Sequence, residues 1–118
     1  SFFLITAGFA QSARPSLKEV STDMNKTLPE TYDPVTKLIS TTVENNNFKY
    51  HFIVDATDKE FTWALPKVKA QILKTICSRS PEKKILKDHN ANIVYSYENV
   101  KGQSMGEFMV RPEYCRRK

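Results

Sequence analysis

An alternation of side chains between residues 48 and 54 limits the fold more than any other segment of the chain. Mostly polar residues separate its large apolar positions, which are Phe48, Tyr50, Phe52 and Val54. Because successive side chains of a strand point to opposite faces of a sheet, this period of two predicts a strand with one aromatic face. That face has to be buried against another layer of secondary structure.

Two hairpins are predicted. Residues 36–43 are rich in β-branched side chains and form the partner strand of 48–54. Between them lies Asn45-Asn46-Asn47, a connector that tolerates left-handed backbone angles. A second pair of strands, 92–98 and 103–110, is joined by a turn at 99–102.

Capping signals predict two short helical segments. Ser16 and Glu19 have the spacing of a capping box, so a helix is expected over residues 17–27. Ser80 as N-cap and Pro81 at the first helical position begin the other segment. Its buried residues are expected to be Ile85 and Leu86.

A long amphipathic helix is predicted between the hairpins. Its apolar stripe consists of Leu65, Val68, Ile72 and Ile76. Pro66 is acceptable only in a first turn, so the helix should begin within 62–65 and end near Cys77 or Ser78.

These elements predict an α+β fold in the order α-β-β-α-(α)-β-β. We expect a four-stranded antiparallel sheet with the long helix packed on one face. The chain has 118 residues, which is typical of one domain, and this domain is expected to cover residues 14–118.

The N-terminal residues 1–13 contain no charged side chain and begin with the apolar run Phe2-Phe3-Leu4-Ile5. This pattern is typical of the end of a secretory signal peptide. The alternative is an N-terminal extension that forms a short strand or helix of the fold. The apolar run is too short to span a bilayer.

Cys77 and Cys115 are the two cysteines of the chain. They form no CxxC motif and have no spacing to histidine that suits zinc. In an oxidising compartment such a pair forms a disulfide, whereas in a cytosolic protein both would be buried thiols. With the uncharged N-terminus, the pair predicts a disulfide and a periplasmic or secreted protein.

The net charge of +5 favours anionic partners in general. The lysines are spread widely, which is typical of a solvated surface. The basic tail, Arg116, Arg117 and Lys118, predicts a weak affinity for anionic surfaces. No nucleic-acid partner is expected for an exported protein.

No residues are predicted to be catalytic, to bind a cofactor or to ligate a metal. His51 and His89 are isolated and lack a nucleophile motif nearby, so a hydrolase is not expected. There is no GxGxxG, Walker or HExxH motif. Asp55, Asp58 and Glu60 lack the pattern of a calcium loop and are expected to cap a helix.

Aromatic residues are the most distinctive set in the chain: Phe48, Tyr50, Phe52, Trp63, Tyr95, Tyr97 and Phe108. Most of them are expected to form the core beneath the long helix. The alternative is an exposed face of aromatic and lysine side chains, which would suit single-stranded nucleic acid.

Short motifs follow one another along the chain in the order Met24-Asn25-Lys26-Thr27-Leu28-Pro29, Tyr32-Asp33-Pro34-Val35-Thr36-Lys37-Leu38, Tyr50-His51-Phe52, Ile76-Cys77-Ser78, Val94-Tyr95-Ser96-Tyr97, Phe108-Met109-Val110 and Tyr114-Cys115. In this series the chain resembles a group of small, mostly uncharacterised exported proteins of Gram-negative bacteria. It departs from them at Asn45-Asn46-Asn47, where a glycine-containing turn is expected. The resemblance implies a signal peptide, a late cysteine pair and a periplasmic or secreted location, and it implies no catalytic residue.

Taken together, these features predict a non-catalytic protein-interaction domain of the periplasm or of the secreted fraction. Its partner is expected to be a protein of the cell envelope, with the chain acting as an accessory component of an envelope or secretion assembly. The edges of the sheet would suit pairing with a partner. The alternative is an inhibitor or a small-ligand-binding protein that uses a cavity between sheet and helix.

Overall fold

The structure is a computed structural model and describes residues 15–116. The predicted signal-peptide segment 1–13 and the tail residues Arg117 and Lys118 lie outside the described residues, so the division of the chain at residue 14 stays a prediction. The elements in chain order are α1 (Leu17–Asn25), β1 (Glu30–Asp33), β2 (Thr36–Glu44), β3 (Asn47–Val54), α2 (Asp58–Thr75), a π-helical segment (Lys84–Asp88), β4 (Asn92–Asn99), β5 (Ser104–Val110) and α3 (Glu113–Arg116).

The sheet is mixed and has five strands in the order β1-β2-β3-β4-β5. Both predicted hairpins are present, since β2 pairs antiparallel with β3 and β4 pairs antiparallel with β5. The prediction of four antiparallel strands is wrong, because β3 and β4 run parallel. Helix α2 carries the chain back along the sheet between these two strands, and a crossover of this kind joins parallel neighbours.

Strand β1 is the fifth strand, and its four residues are all exposed. Such a segment has no alternation of apolar and polar positions, so no strand was predicted here. Strand β1 pairs antiparallel with the edge of β2, and Glu30 lies opposite Leu38. A turn at Pro34 and Val35 joins β1 to β2, and the Asp33 side chain accepts a hydrogen bond of 2.9 Å from the Val35 amide.

Helix α1 begins at the predicted capping box. The amide of Glu19 donates to Ser16 Oγ at 3.2 Å, and the amide of Ser16 donates to the Glu19 carboxylate at 2.8 Å. Its side chains also fasten it to the sheet, since Ser21 Oγ hydrogen-bonds to Thr41 Oγ1 at 2.6 Å.

Helix α2 begins earlier than predicted, at Asp58 rather than within 62–65. A second capping box, formed by Thr57 and Glu60, sets this start. Pro66 therefore lies inside the helix. Pro66 is exposed and costs helix stability, because it cannot donate a hydrogen bond to the preceding turn.

The segment after α2 differs from the prediction in its helix type. Residues Lys84–Asp88 are π-helical and have no side-chain cap, so Ser80 is not the N-cap of this segment. Ile85 and Leu86 are buried, as predicted. The short helix α3 was not predicted.

Phe48, Tyr50 and Phe52 are almost fully buried, which confirms the aromatic strand face as core. Thr41 lies opposite Tyr50 in the β2–β3 pair, so α1, which is bonded to Thr41, covers this same face. Helix α2 also lies over it, and Phe61 contacts Tyr97 with ring centroids 5.2 Å apart.

A disulfide joins Cys77 to Cys115 and connects the end of α2 to helix α3, just after the last strand. The chain is thus an α+β domain with one disulfide among its described residues.

Candidate binding cleft

The polar residues that could have carried chemistry lie apart from one another or have structural partners. His51 Nε2 is 2.7 Å from Thr42 Oγ1 on the neighbouring strand. Burial and the nearby Lys49 charge lower the pKa of His51. Glu60 accepts hydrogen bonds from the Thr57 amide and hydroxyl, as expected of a capping residue. Within residues 15–116 no three His, Cys, Asp or Glu side chains are placed to hold a metal ion.

An open cleft of about 1000 Å³ runs between helix α2 and the aromatic face of the sheet. We call it the α2 cleft. Its floor is formed by Tyr50, Phe52, Val54, Tyr95 and Tyr97, and its helical wall includes Phe61, Ala64, Leu65, Val68 and Ile72. Tyr32 and Val35 line the opposite side. The lining is therefore dominated by apolar and aromatic side chains, as in most binding sites of proteins.

The floor of the cleft is a continuous aromatic surface. Phe52 stacks on Tyr97 with ring centroids 4.9 Å apart, and Tyr50 meets Tyr95 edge to face at 5.2 Å. On β5, Phe108 stacks on Tyr95 at 4.9 Å and extends the row. Such ring pairs add stability beyond their buried area.

Burial raises the pKa of each floor tyrosine far above its ordinary value. For Tyr50 and Tyr95 the negative charge of Glu82 adds to this effect. For Tyr97 the second cause is Tyr32. The hydroxyl groups therefore stay protonated and neutral at any physiological pH.

One end of the cleft contains a carboxylate. Tyr50 donates a hydrogen bond of 2.6 Å to Glu82 Oε2. The other oxygen, Glu82 Oε1, is buried and has no hydrogen-bond partner among the described residues. Arg79 lies at the same end of the cleft.

Large apolar side chains stay exposed at both rims of the cleft. Trp63 of α2 is 68% exposed, and Lys67 Nζ lies 3.7 Å from the centre of its ring. On the other rim, Tyr32 is 50% exposed and meets Phe52 edge to face at 5.4 Å. These two aromatic side chains are available for contact with another molecule at the opening of the cleft.

Helix α2 covers the sheet without closing onto it, which refines the predicted packing. Of its predicted stripe, Ile76 is buried and Leu65 and Ile72 are partly buried, but Val68 is 40% exposed. The helix approaches β5 closely at Gly106. A Cβ atom at Gly106 would lie 3.3 Å from the Phe61 ring, so the absence of a side chain there admits the helix.

The aromatic pattern predicted the floor residues as core, whereas other lining residues, among them Tyr32, Arg79 and Glu82, were not predicted. Trp63 belongs to the rim rather than to the core. Tyr32 lies on a short strand without apolar alternation, and Glu82 meets Tyr50 across 32 positions of sequence, so no local pattern marks either residue. Since Phe48, Tyr50 and Phe52 are buried, this face is not an exposed platform for stacking nucleic-acid bases.

No described helix has both the length and the apolar composition needed to cross a membrane.

The chain matches no protein-family model and no curated protein. Three solved structures share its fold. A Pseudomonas aeruginosa protein described as secreted is 22% identical, with a TM-score of 0.74 over 85% of this chain and 89% of that one.

The other two are pilotins of type II secretion systems. EpsS of Vibrio vulnificus is 18% identical, with a TM-score of 0.68 over 84% of this chain and 87% of that one. AspS of Vibrio cholerae is 17% identical, with a TM-score of 0.65 over 84% and 88%. At these identities the similarity shows the fold, which the chain shares with a secreted protein and with secretion pilotins of Gram-negative bacteria.

Proposed function

We propose that the chain is a non-catalytic protein-binding domain of the bacterial envelope that holds a polypeptide segment of its partner in the α2 cleft. The observation that carries the proposal is the open cleft itself, with its aromatic floor and with Trp63 and Tyr32 exposed at opposite rims. Aromatic side chains in a partly buried groove are typical of the residues that dominate binding energy in protein interfaces.

The role that fits this site is an accessory component of a secretion assembly. Two proteins with the same fold are pilotins of type II secretion systems, and a third is described as secreted. The disulfide agrees with an oxidising compartment, which supports a periplasmic or secreted location.

Site-specific photocrosslinking in cells that express the protein from its own gene tests the proposal. A benzophenone amino acid replaces Trp63 at the cleft rim. The matched control replaces Val100, which is 62% exposed in the turn between β4 and β5 and does not line the cleft. We expect a crosslinked envelope protein from position 63 and none from position 100, with its identity read by mass spectrometry.

A second variant tests whether the crosslink depends on binding in the cleft. Val68→Asp places a charge on the exposed part of the helical wall and should lower the crosslink yield from position 63 by roughly tenfold. Crosslinks that are identical from positions 63 and 100, or that survive Val68→Asp unchanged, would contradict the proposal.

The volume of the cleft favours a second candidate, a binder of small apolar ligands. About 1000 Å³ is at the upper end of the range of small-molecule sites. Native mass spectrometry of protein purified from cells separates the two functions. A copurified small molecule that is lost in Val68→Asp would favour the ligand-binding function over the protein-binding one.

A further inference from the structure

We infer that Glu82 and Tyr50 form a recognition point for a positive charge, so that the partner segment in the α2 cleft carries a lysine or arginine among its apolar side chains. This inference rests on the proposed function and adds the chemistry of the bound segment to it.

The geometry around Glu82 leaves one acceptor unused in a buried place. Glu82 Oε2 already accepts the Tyr50 hydroxyl at 2.6 Å, whereas Oε1 is buried without a partner among residues 15–116. An ionised carboxylate offers several acceptor sites on its two oxygens. Buried polar atoms without any partner are rare in proteins, so each one calls for an explanation.

The neighbours of Glu82 do not supply the missing donor. The Tyr50 hydroxyl is committed to Oε2. The nearby Arg79 is exposed and lines the cleft, and the structure places no ion pair between Arg79 and Glu82 in the part of the chain it describes. The tyrosines beside Glu82 stay protonated because their pKa values are raised, so they do not change the charge at this end of the cleft.

A cationic side chain fits this end better than a neutral donor does. A lysine or arginine would form a charge-assisted hydrogen bond with Oε1, which is stronger than a bond between neutral groups. The ring of Tyr32, half exposed on the rim, offers a face for the same cation. The apolar floor next to Glu82 would take the aliphatic stem of the side chain and the apolar residues beside it.

A pair of small probes tests the charge requirement on the intact protein. 4-Phenylbutylamine carries the cation and the apolar group, and 4-phenylbutanol is its uncharged counterpart. Binding is followed by NMR through the indole signal of Trp63, the single tryptophan of the chain. We expect the amine to bind about tenfold or more tightly than the alcohol, with the difference lost in Glu82→Gln.

Glu82→Gln keeps an acceptor for Tyr50 and nearly the same shape, so the fold should be retained. Glu107→Gln is the matched control, because Glu107 is a carboxylate on the opposite face of the sheet that pairs with Lys49. This control should leave the preference for the amine unchanged. In Arg79→Ala the preference should persist or increase, since a competing cation has been removed.

Equal binding of amine and alcohol, no binding of either, or an amine affinity that survives Glu82→Gln would overturn the inference. The proposed function is judged separately by the crosslink from position 63. If that crosslink persists at full yield in Glu82→Gln, the cleft binds its partner without the recognition point, and the inference fails while the function stands.

Discussion

The side-chain amide of Asn25 hydrogen-bonds to both backbone groups of Thr41. The Thr41 amide donates to Asn25 Oδ1 at 2.7 Å, and Asn25 Nδ2 donates to the Thr41 carbonyl at 3.0 Å. The pairing of β1 with β2 extends only as far as Leu38, so this side of β2 has no strand partner at Thr41 among the described residues. Asn25 thus takes the place of a strand and closes an edge that could pair with another chain.

Asn25→Ala should destabilise the domain by about 1–3 kcal/mol, because Thr41 is buried and its amide would lose the acceptor Asn25 Oδ1. The Thr41 carbonyl would keep its hydrogen bond from Ser21 Oγ. Thr22→Ala is the control, since Thr22 is an exposed residue of the same helix. Denaturant unfolding measures the loss, and size-exclusion chromatography reports any association through the opened edge. Equal stabilities of the two variants would show that the Asn25 contacts contribute nothing.

Removal of the Cys77–Cys115 disulfide should also destabilise the domain. The bond closes a loop with a sequence separation of 38, which corresponds to about 4 kcal/mol on the chain-entropy model. Denaturant unfolding of a Cys77→Ser, Cys115→Ser double variant tests this prediction. The same measurement on the reduced wild type should show a similar loss of stability. In protein purified from its native compartment, mass spectrometry should show a gain of two protons on reduction. Free thiols that alkylate without reductant would contradict both the bond and the exported location.

Pro66→Ala should stabilise the domain by about 2 kcal/mol. Proline inside a helix cannot donate a hydrogen bond to the preceding turn, which costs about 3 kcal/mol relative to alanine. Part of this cost is offset because proline lowers the conformational entropy of the unfolded chain. Ala70→Gly, at an exposed position one turn later, should instead lose about 1 kcal/mol. Urea unfolding measures both. A loss of stability in Pro66→Ala would mean that the local shape of α2 requires the proline.

The cap of α2 should weaken in acid. Hydrogen bonds from the backbone and side chain of Thr57 lower the pKa of Glu60 below its ordinary value of 4.5. Since the folded-state pKa is the lower one, the stabilisation is present above pH 4.5 and is lost as the pH falls through the folded-state value. An NMR titration of the Glu60 carboxyl group should give a midpoint below 4.5, and Thr57→Ala should move it upward. A midpoint at or above 4.5 in the wild type would contradict the cap.

Local sequence rules predicted those elements whose signals lie within a few residues. The box of Ser16 and Glu19 predicted the start of α1 because both partners lie within one turn. Thr57 and Glu60 have the same spacing, yet the general rule on proline in helices moved the predicted start of α2 to 62–65. The capping box lies where α2 begins, and the helix continues through Pro66 at a cost in stability, so the boundary follows the cap and not the proline.

Long-range pairing decided what the sequence could not show. The alternating residues of 48–54 and the two cysteines determined, by themselves, a strand with one aromatic face and the pair available for a disulfide. Tertiary structure alone added β1, made β3 and β4 parallel, and held α2 far enough from the floor to leave the cleft open. It also brought Glu82 to Tyr50. The direction of a strand, the distance of a helix from the sheet and the contacts between distant residues depend on the free energy of the whole packed chain. A local sequence pattern carries no information about that free energy.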